Sequence, residues 1–216
     1  GAGCLPALAA VADEVHGVDV SGHLVEQVSA RRTGFQVAQG DVRRLDYPDA
    51  WCDLICSNST LDHFASRQEI VASISGFYRV LEPGGLLAIT LDNPTNPLVR
   101  CRNMLPQRAL AAAGLVPYFM GQTLSMRELV DVLGVAGFRV LKTRHLMHAP
   151  RVVCLHLLRA IGRFPRMSRR LLGFMLAAEA AARLPTASLS GHYSAVLAEK
   201  PLRSQPSASR IAATNG

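Results

Sequence analysis

The sequence has 216 residues, of which 49% are hydrophobic and 18% are charged. This composition fits one globular domain with a sizeable core and excludes a disordered chain. No apolar run reaches the roughly 20 residues that a membrane-spanning helix needs. The five cysteines lack the spacing of a zinc site or a disulfide framework. We therefore expect a cytoplasmic protein with reduced thiols and no bound metal.

The net charge of +7 comes from the last third of the chain. Residues 1–146 carry 13 Lys and Arg against 14 Asp and Glu, whereas residues 147–216 carry 10 against 2. A basic segment of this kind can bind nucleic acid or anionic lipid. Nucleic acid is the weaker interpretation, because the segment lacks the interleaved aromatic residues that stack on bases.

The first half of the chain alternates short β-like runs with helical runs. Ser66 and Glu69 form a capping box for one of the helices, which runs to about Leu81 and ends before Pro83-Gly84-Gly85. In chain order the pattern predicts a helix at 5–12, a strand at 14–19, a helix at 21–30, strands at 34–38 and 53–57, the capped helix, and a strand at 86–91.

The second half begins with the loop Asp92–Pro97, which is either a rigid polar pocket wall or a plain connection. The predicted elements that follow are a helix from Ser125 to Gly137, a strand at 138–143, mostly apolar helices at 150–185 and a last strand at 192–199.

This alternation predicts an α/β fold with a Rossmann-like, doubly wound sheet. We expect mostly parallel strands, an antiparallel last strand and a helical insert before it. The domain should cover residues 1–201, with the insert at about 150–185, and residues 202–216 should form a disordered tail. Such a sheet needs a strand before its first glycine loop, yet the sequence begins with Gly1-Ala2-Gly3. We therefore expect the first strand to be missing and the chain to be truncated.

Glycines in the first turn let the backbone approach a cofactor, and an acid at the end of the next strand can bind ribose hydroxyls. Gly1, Gly3 and Asp19 fit these roles. They would equally fit a nicotinamide cofactor. Asp41, which closes the following strand, favours an adenosyl ligand, because its carboxylate could accept a hydrogen bond from the adenine amine.

Three segments in order complete the pattern: GVDVS at 17–21, GDVRRLDYPDAWCDLI at 40–55 and VLEPGGLLAIT at 80–90. With the initial GxG they resemble the class I S-adenosylmethionine-dependent methyltransferases of the ubiquinone/menaquinone-biosynthesis type. The resemblance covers most of residues 1–92 and is weaker at 137–143 and 192–201.

The resemblance implies S-adenosylmethionine as the cofactor and assigns roles to individual residues. Gly1 and Gly3 would contact its methionine and ribose part, and Asp19, with Val20 beside it, would bind the ribose hydroxyls. The remaining predicted contacts are Asp41 and Val42 with the adenine, and Ser57 and Asn58 with the methionine side.

The chemistry expected of such an enzyme is in-line displacement at the sulfonium methyl, which requires alignment and exclusion of water. A base is needed only where the acceptor must lose a proton. His63, after the third strand, is the candidate catalytic residue, and His145 and His148 are second choices. A purely structural role for His63 is the competing interpretation.

The acceptor is expected to be a small molecule or a lipid-linked intermediate. Residues 150–170 could contact a membrane through their arginines, which would place the protein at the inner face of the membrane. The competing interpretation is a helical cap over the acceptor pocket or a partner subunit. Two alternative functions stay open: a nicotinamide-dependent oxidoreductase, and a catalytically inactive membrane-associated scaffold.

Overall fold

The computed structural model describes residues 5–30, 34–106, 108 and 121–202. Gly1, Gly3 and the predicted tail from residue 203 onward lie outside these ranges. The strands within them are β1 His16–Asp19, β2 Gln36–Gln39, β3 Cys52–Asn58, β4 Leu81–Asp92, β5 Arg139–Leu146 and β6 Tyr193–Glu199.

The α-helices in the described ranges lie before β1 and between later strands, two of them between β4 and β5 and three between β5 and β6. Short 3₁₀ helices at Val42–Arg44, Leu61–His63 and Glu179–Arg183 lie between them. The α-helices are α1 Leu5–Leu8, α2 Gly22–Ser29, α3 Arg67–Val80, α4 Pro97–Met104, α5 Met126–Val135, α6 Arg151–Ile161, α7 Pro165–Ala178 and α8 Ala187–Ser190.

The described strands form two hydrogen-bonded sheets. β1 and β2 make a parallel pair, and the other four are ordered β3-β4-β6-β5. β3 and β4 are parallel, while β6 runs antiparallel to both β4 and β5. The predicted α/β class, the antiparallel last strand and the helices before it are confirmed. Among the described strands, no hydrogen bonds join β1 to β3, so the β1–β2 pair is separate from the four-stranded sheet.

The core lies on one face of the four-stranded sheet. Alternate residues of β4 point into it, as the two-residue period of a strand requires. α3 and α5 supply the opposing side, each with apolar residues three or four positions apart. The largest fully buried side chains in this core are those of Leu61, Ile70, Ile74, Leu81, Leu87, Ile89, Leu91, Leu129 and Leu133.

The predicted helix end before Pro83 is confirmed, but two element boundaries differ from the prediction: the strand after that helix begins at Leu81, and a helix begins at Pro97. Pro83-Gly84-Gly85 lies within β4, because Gly84 adopts φ 88° and its amide still donates to the Lys200 carbonyl at 2.7 Å. The loop Asp92–Pro97 ends by starting α4: the Asn96 side chain accepts hydrogen bonds from the amides of Leu98 and Val99. Asn followed by Pro is a helix-start signal, so the end of this loop is a helix cap.

None of the helices in the described ranges is long and apolar enough to cross a bilayer. Among all described residues, the His, Cys, Asp and Glu side chains form no cluster that could hold a metal ion. Four cysteines are described as free thiols, namely Cys52, Cys56, Cys101 and Cys154.

Candidate cofactor and acceptor site

A cleft of about 1100 Å³ lies between the two sheets and is lined by the whole of β1 and the whole of β3. Four of the predicted cofactor residues line it: Asp19, Val42, Ser57 and Asn58. Val20, Asp41 and His63 are not part of its lining as the described residues form it. The structure thus brings together residues from the ends of two separate strands, as a shared ligand site requires.

Asp19 is the last residue of β1 and holds the turn into α2. Its Oδ1 accepts a hydrogen bond from the Ser21 amide at 2.8 Å, and Ser21 in turn caps α2. Val20, between them, is 71% exposed. A carboxylate that is fixed by a backbone amide at the cleft wall is well placed to accept hydrogen bonds from vicinal hydroxyls.

Asp41 follows β2 at the same edge, because the Gly40 amide donates to the Asp19 carbonyl at 3.0 Å. Both carboxylate oxygens of Asp41 accept from the Arg43 guanidinium, at 2.6–2.9 Å. That guanidinium also holds the pKa of Asp41 below its usual value. Arg43 reaches Glu69 of α3 at 2.5 Å as well, so Asp41 helps to attach its turn to α3. An adenine contact by Asp41 stays a prediction.

The end of β3 supplies the polar groups on the opposite wall. Ser57 is 6% exposed, and its Oγ has no hydrogen-bond partner among the described residues. Asn58 accepts from the Thr90 hydroxyl of β4 at 2.7 Å. Ser59 then turns the chain with φ 50°, and its amide bonds to the Thr90 carbonyl. The unpaired Ser57 hydroxyl at the cleft wall is the kind of group that a bound ligand satisfies.

His63 ends the short 3₁₀ helix after β3 and is exposed. It lines neither the cleft nor a smaller cavity of about 240 Å³ at the same sheet edge. The loop that carries it is held tightly, since the Gln122 amide donates to the Phe64 carbonyl at 2.8 Å. A catalytic role for His63 stays a prediction.

His145 and His148, the second choices, have defined surroundings near the end of β5. His148 Nδ1 accepts from the Ser190 hydroxyl at 2.8 Å, and its Nε2 donates to the His145 carbonyl at 3.0 Å. Glu179 accepts from the His148 amide at 3.0 Å. Burial lowers the pKa of His145. Because both His148 ring nitrogens are hydrogen-bonded within the protein, these contacts support a structural role for His148.

A buried polar cluster next to the cleft was not predicted from the sequence. Asp62 accepts from the Ser59 hydroxyl at 2.7 Å and from the Asp92 amide at 3.1 Å. Asp92 pairs with Arg102 at 2.5 Å and lies 3.6 Å from Nε2 of His192. The cluster joins the ends of β3 and β4 to the start of β6. Its members lie up to 130 positions apart in the chain, so no local pattern identifies them.

The electrostatics of this cluster differ from those of the cleft wall. Asp62 and Asp92 are 5% and 7% exposed. Burial, and then the charge of Asp92, raise the pKa of Asp62 to about 6. The Ser59 hydroxyl opposes this rise only in part. Asp62 can therefore exchange a proton near neutral pH.

A second cavity of about 240 Å³ lies at the same sheet edge. It is bounded by the chain after β4, the chain after β5 and the chain before β6, and its lining residues are Asn96, Pro97, Leu98, Met147, His148, Ala149, Pro150, Leu189, Ser190 and His192. The loop Asp92–Pro97 therefore contributes to a cavity wall.

Comparison with known proteins agrees with this architecture. The family model described as "Methyltransferase domain" matches residues 1–89. A probable S-adenosylmethionine-dependent methyltransferase of Mycolicibacterium smegmatis is 26% identical over 151 residues, which are 65% of this chain and 49% of the relative. The chain thus spans about half the length of that curated relative.

Solved structures of the same fold include enzymes with different chemistry. A methyltransferase from Methanosarcina mazei superposes with a TM-score of 0.59 at 16% identity, covering 93% of this chain and 90% of that one. The [4+2]-cyclase SpnF gives 0.56 at 19% identity, covering 93% and 73%. A Haemonchus contortus phosphoethanolamine N-methyltransferase, solved with S-adenosylmethionine, gives 0.53 at 17% identity, covering 87% and 43%.

Residues 1–89 match the methyltransferase-domain family, and the relative and several of the solved structures are S-adenosylmethionine-dependent methyltransferases. These similarities support the predicted methyltransferase family and its cofactor; the ubiquinone/menaquinone-type subgroup stays a prediction.

Proposed function

We propose that this chain binds S-adenosylmethionine in the cleft between β1 and β3 and transfers its methyl group to a small-molecule or lipid-linked acceptor. The observation that carries the proposal is the placement of Asp19, Ser57 and Asn58, from the ends of two strands, on the walls of one cleft. Bound there, the cofactor supplies a methyl group on a sulfonium that is itself the leaving group.

The protein's part in this reaction is binding and orientation. Asp19 would accept hydrogen bonds from the ribose hydroxyls, and Val42, half-buried beside the core, would pack against the adenine. Ser57 and Asn58 would hold the methionine end. Alignment of acceptor and methyl group in a site that excludes water accounts for most of the rate in such a displacement.

The nearest competing function is a nicotinamide-dependent oxidoreductase. Binding measurements with S-adenosylhomocysteine and with NAD distinguish the two functions. We expect S-adenosylhomocysteine to raise the melting temperature of the chain and to bind measurably by calorimetry, and NAD to do neither. Because SpnF shares the fold but is described as a cyclase, transfer of labelled methyl to a product must be measured separately. Stabilisation by NAD alone would reject the proposal.

The lipid-linked acceptor is supported by the surface of α6 and α7. The segment 151–178 contains no Asp or Glu, and α7 has no buried residue. Exposed apolar side chains accompany its arginines, including Phe164, Phe174 and Leu176. The arginines of this surface are Arg159, Arg163, Arg166, Arg169 and Arg170, and all are exposed. Positive charge with exposed apolar groups matches an anionic lipid surface.

Vesicle sedimentation tests this contact. We expect the chain to co-sediment with phosphatidylglycerol-containing vesicles and to remain in the supernatant with phosphatidylcholine alone. Changing Arg166, Arg169 and Arg170 to Gln should release it, while Arg127→Gln, at an exposed position of α5, should not. Binding that survives the triple change, or that is equal on both vesicles, would contradict the proposed membrane contact.

A further inference from the structure

The cleft between β1 and β3 extends well beyond the residues that are predicted to bind the cofactor. Asp19, Ser57 and Asn58 lie at the carboxyl ends of the two strands. The cleft continues to His16 and Cys52, where the strands begin. Its volume of about 1100 Å³ also exceeds the roughly 300–1,000 Å³ of most small-molecule sites. The part of the cleft that runs along both strands therefore has room for a second occupant.

β1 pairs with β2 along one edge and turns its other edge to the cleft. The carbonyls of Val15 and Asp19 accept hydrogen bonds from amides in and just after β2, at 2.9 and 3.0 Å. Consecutive residues of a strand present their N–H and C=O groups to opposite edges. The backbone groups of His16 and Val18 therefore point away from β2 and towards the cleft.

β3 is the terminal strand of its sheet and presents a similar edge from the other side. The Ser59 amide, just after β3, donates to the Thr90 carbonyl of β4 at 3.0 Å. By the same alternation, the backbone groups of Leu54 and Asn58 point away from β4 and towards the cleft. Among the described strands, none pairs with this edge or with the free edge of β1. Two such edges on one cleft are a template for a strand between them.

The two edges run in the same direction. The ring of His16, at the start of β1, packs edge-on against Trp51, immediately before β3, with ring centroids 4.8 Å apart. At the other end, Asp19 and Asn58 both line the cleft. Because β1 and β3 begin side by side and end on the same cleft, a strand between them can pair in parallel with both.

The helices that border the cleft contribute apolar side chains to its walls. Those of α1, α2 and α3 include Leu5, Leu8, Val25, Val28, Phe77 and Val80. Apart from Asp19, the acidic residues of the lining lie near the starts of strands, and they are Asp13, Glu14, Asp53 and Glu82. The middle of the cleft is thus free of charged side chains. Strands of parallel sheets are ordinarily covered on both faces and rich in Val, Ile and Leu, so the cleft suits an apolar strand.

The position of α1 indicates which part of the chain could supply this strand. Leu5, which begins α1, lines the cleft and lies over the middle of β1, where a Cβ on Gly17 would come within 2.9 Å of its Cδ1. β1, α2 and β2 form a strand–helix–strand unit with parallel strands. A strand ahead of α1 would form a second unit of the same kind with β1, which is the usual connection between parallel strands.

We propose that the cleft binds a further β-strand, an apolar segment joined to the chain ahead of Gly1, which pairs in parallel with β1 and β3 and makes one continuous sheet. About five residues suffice, because they match β3 from Leu54 to Asn58 at roughly 3.3 Å per residue. The cofactor keeps the carboxyl ends of the strands, so this inference goes beyond the proposed function and does not depend on it.

Hydrogen exchange, measured by nuclear magnetic resonance on the full chain with and without an extension, tests the proposal. One extension places Thr-Val-Leu-Val-Thr ahead of Gly1. The control places Thr-Pro-Leu-Pro-Thr there, whose prolines lack the amides needed for pairing. Without an extension, we expect the Val18 amide, which points into the cleft, to exchange about tenfold faster than the Gly17 amide, which points to β2. The first extension should slow exchange at Val18 and Leu54 about tenfold and raise the melting temperature, and the control should do neither.

A free peptide provides a second test that does not require the extended chain to fold. Thr-Val-Leu-Val-Thr added to the chain without an extension should slow exchange at Val18 and Leu54 in a saturable way, and Thr-Pro-Leu-Pro-Thr should not. Equal effects of the two segments, or no effect of either segment in both formats, would overturn the proposal.

Two further results would assign the cleft to a different occupant. If Val18 and Leu54 are protected without any extension, and their protection rises with protein concentration as a dimer forms, the edges pair with a second copy and the proposal is wrong. If S-adenosylhomocysteine alone protects both amides as well as the first extension does, the cofactor fills the whole cleft, and the proposal is again wrong.

Calorimetry with S-adenosylhomocysteine separates this inference from the proposed function. Protection of Val18 and Leu54 by the first extension, without binding of S-adenosylhomocysteine to the extended chain, would reject the proposed function and retain the strand. Binding of S-adenosylhomocysteine to a chain whose two amides no segment protects would reject the strand and retain the proposed function.

Discussion

The polar groups at the ends of the strands are of two kinds. At the end of the β1–β2 pair, Asp19 and Asp41 are partly exposed and bond to residues two positions ahead in the chain. At the end of the four-stranded sheet, Asp62 and Asp92 are more than nine-tenths buried. Asp92 pairs with Arg102, ten positions away, and lies near His192, a hundred positions away.

The difference shows where ligand binding and fold stability are coupled. An exposed carboxylate with local partners can be removed at small cost to the fold, so it can be specialised for a ligand. A buried carboxylate with distant partners connects several loops, so the same change should affect stability first. Variants of the buried and of the exposed carboxylates should therefore differ in what they change: stability in the first case, ligand affinity in the second.

The largest effect is expected from Asp92→Ala. The change leaves the Arg102 guanidinium, whose side chain is 14% exposed, without its counter-charge. Loss of one partner of a buried ion pair costs about 3–5 kcal/mol. Urea unfolding followed by circular dichroism should show that loss. The matched control is Asp49→Ala, which breaks an ion pair with Arg79 at a carboxylate 79% exposed and should cost less than about 1 kcal/mol.

A double variant tests whether the charge itself is responsible. Asp92→Leu with Arg102→Met removes both charges and should recover much of the loss seen with Asp92→Ala, because replacing a buried ion pair by apolar groups is often close to neutral. Equal losses in Asp92→Ala and Asp49→Ala would show that burial does not distinguish the two pairs.

A pH-dependent effect is expected at Asp62. Its pKa rises from 3.8 to about 6 on folding, so between these values the folded state binds the proton more tightly than the unfolded state. The free energy of unfolding should therefore fall as pH rises from 4 to 6. The penalty at pH 7 is at most about 3 kcal/mol, given 1.36 kcal/mol for each pK unit.

Asp62→Asn should remove that penalty. The amide oxygen can still accept from Ser59 and from the Asp92 amide, and the amide nitrogen replaces Oδ1, which has no hydrogen-bond partner among the described residues. We expect the variant to be more stable than the parent at pH 7. Its free energy of unfolding, measured by urea titration, should change less between pH 4 and 6 than that of the parent. An unchanged slope would mean that Asp62 ionises normally.

Features that depend on residues close together in the chain could be predicted from the sequence, and features that depend on distant residues could not. The capping boxes at Ser66 and Ser125 and the ends of β1 and β2 depend on residues a few positions apart, and the structure has them as predicted. The position of Asp19 was predictable as well, because it ends β1, a strand that neighbouring residues identify. The pairing of Asp92 with Arg102 and His192 depends on the packing of loops from distant parts of the chain, which no local pattern encodes.

The two boundaries that differ from the prediction, the starts of β4 and α4, have local causes. Pro83-Gly84-Gly85 was interpreted as a break, although a glycine with positive φ can also sit within a strand. The loop Asp92–Pro97 was interpreted without the capping role of Asn96. In both cases turn-forming residues were interpreted as ends of regular structure, whereas the structure uses them inside a strand and at the start of a helix.

At the exposed edge, Asp19→Ala should weaken S-adenosylhomocysteine binding by about 1–3 kcal/mol, the scale of a hydrogen bond to a charged group. Asp41→Ala should have the smaller effect, because both Asp41 oxygens already bind Arg43. Asp131→Ala, exposed on α5, is the control and should leave affinity unchanged. Calorimetry at constant salt measures all three. Unchanged affinity in Asp19→Ala would remove Asp19 from the cofactor site.

The smallest effect should come from a helix cap that is not part of the lining of either cavity. Ser66 accepts from the Glu69 amide at 3.3 Å and begins α3. Ser66→Ala should cost about 1 kcal/mol in urea unfolding, because one amide at the start of the helix loses its partner. Ser75→Ala removes a hydroxyl from the exposed side of the same helix, where the hydroxyl bonds back to the Val71 carbonyl, and should change stability by less than about 0.5 kcal/mol. Neither variant should alter S-adenosylhomocysteine affinity. If Ser66→Ala did, the start of α3, held to Asp41 through Arg43 and Glu69, would have to be counted with the cofactor site.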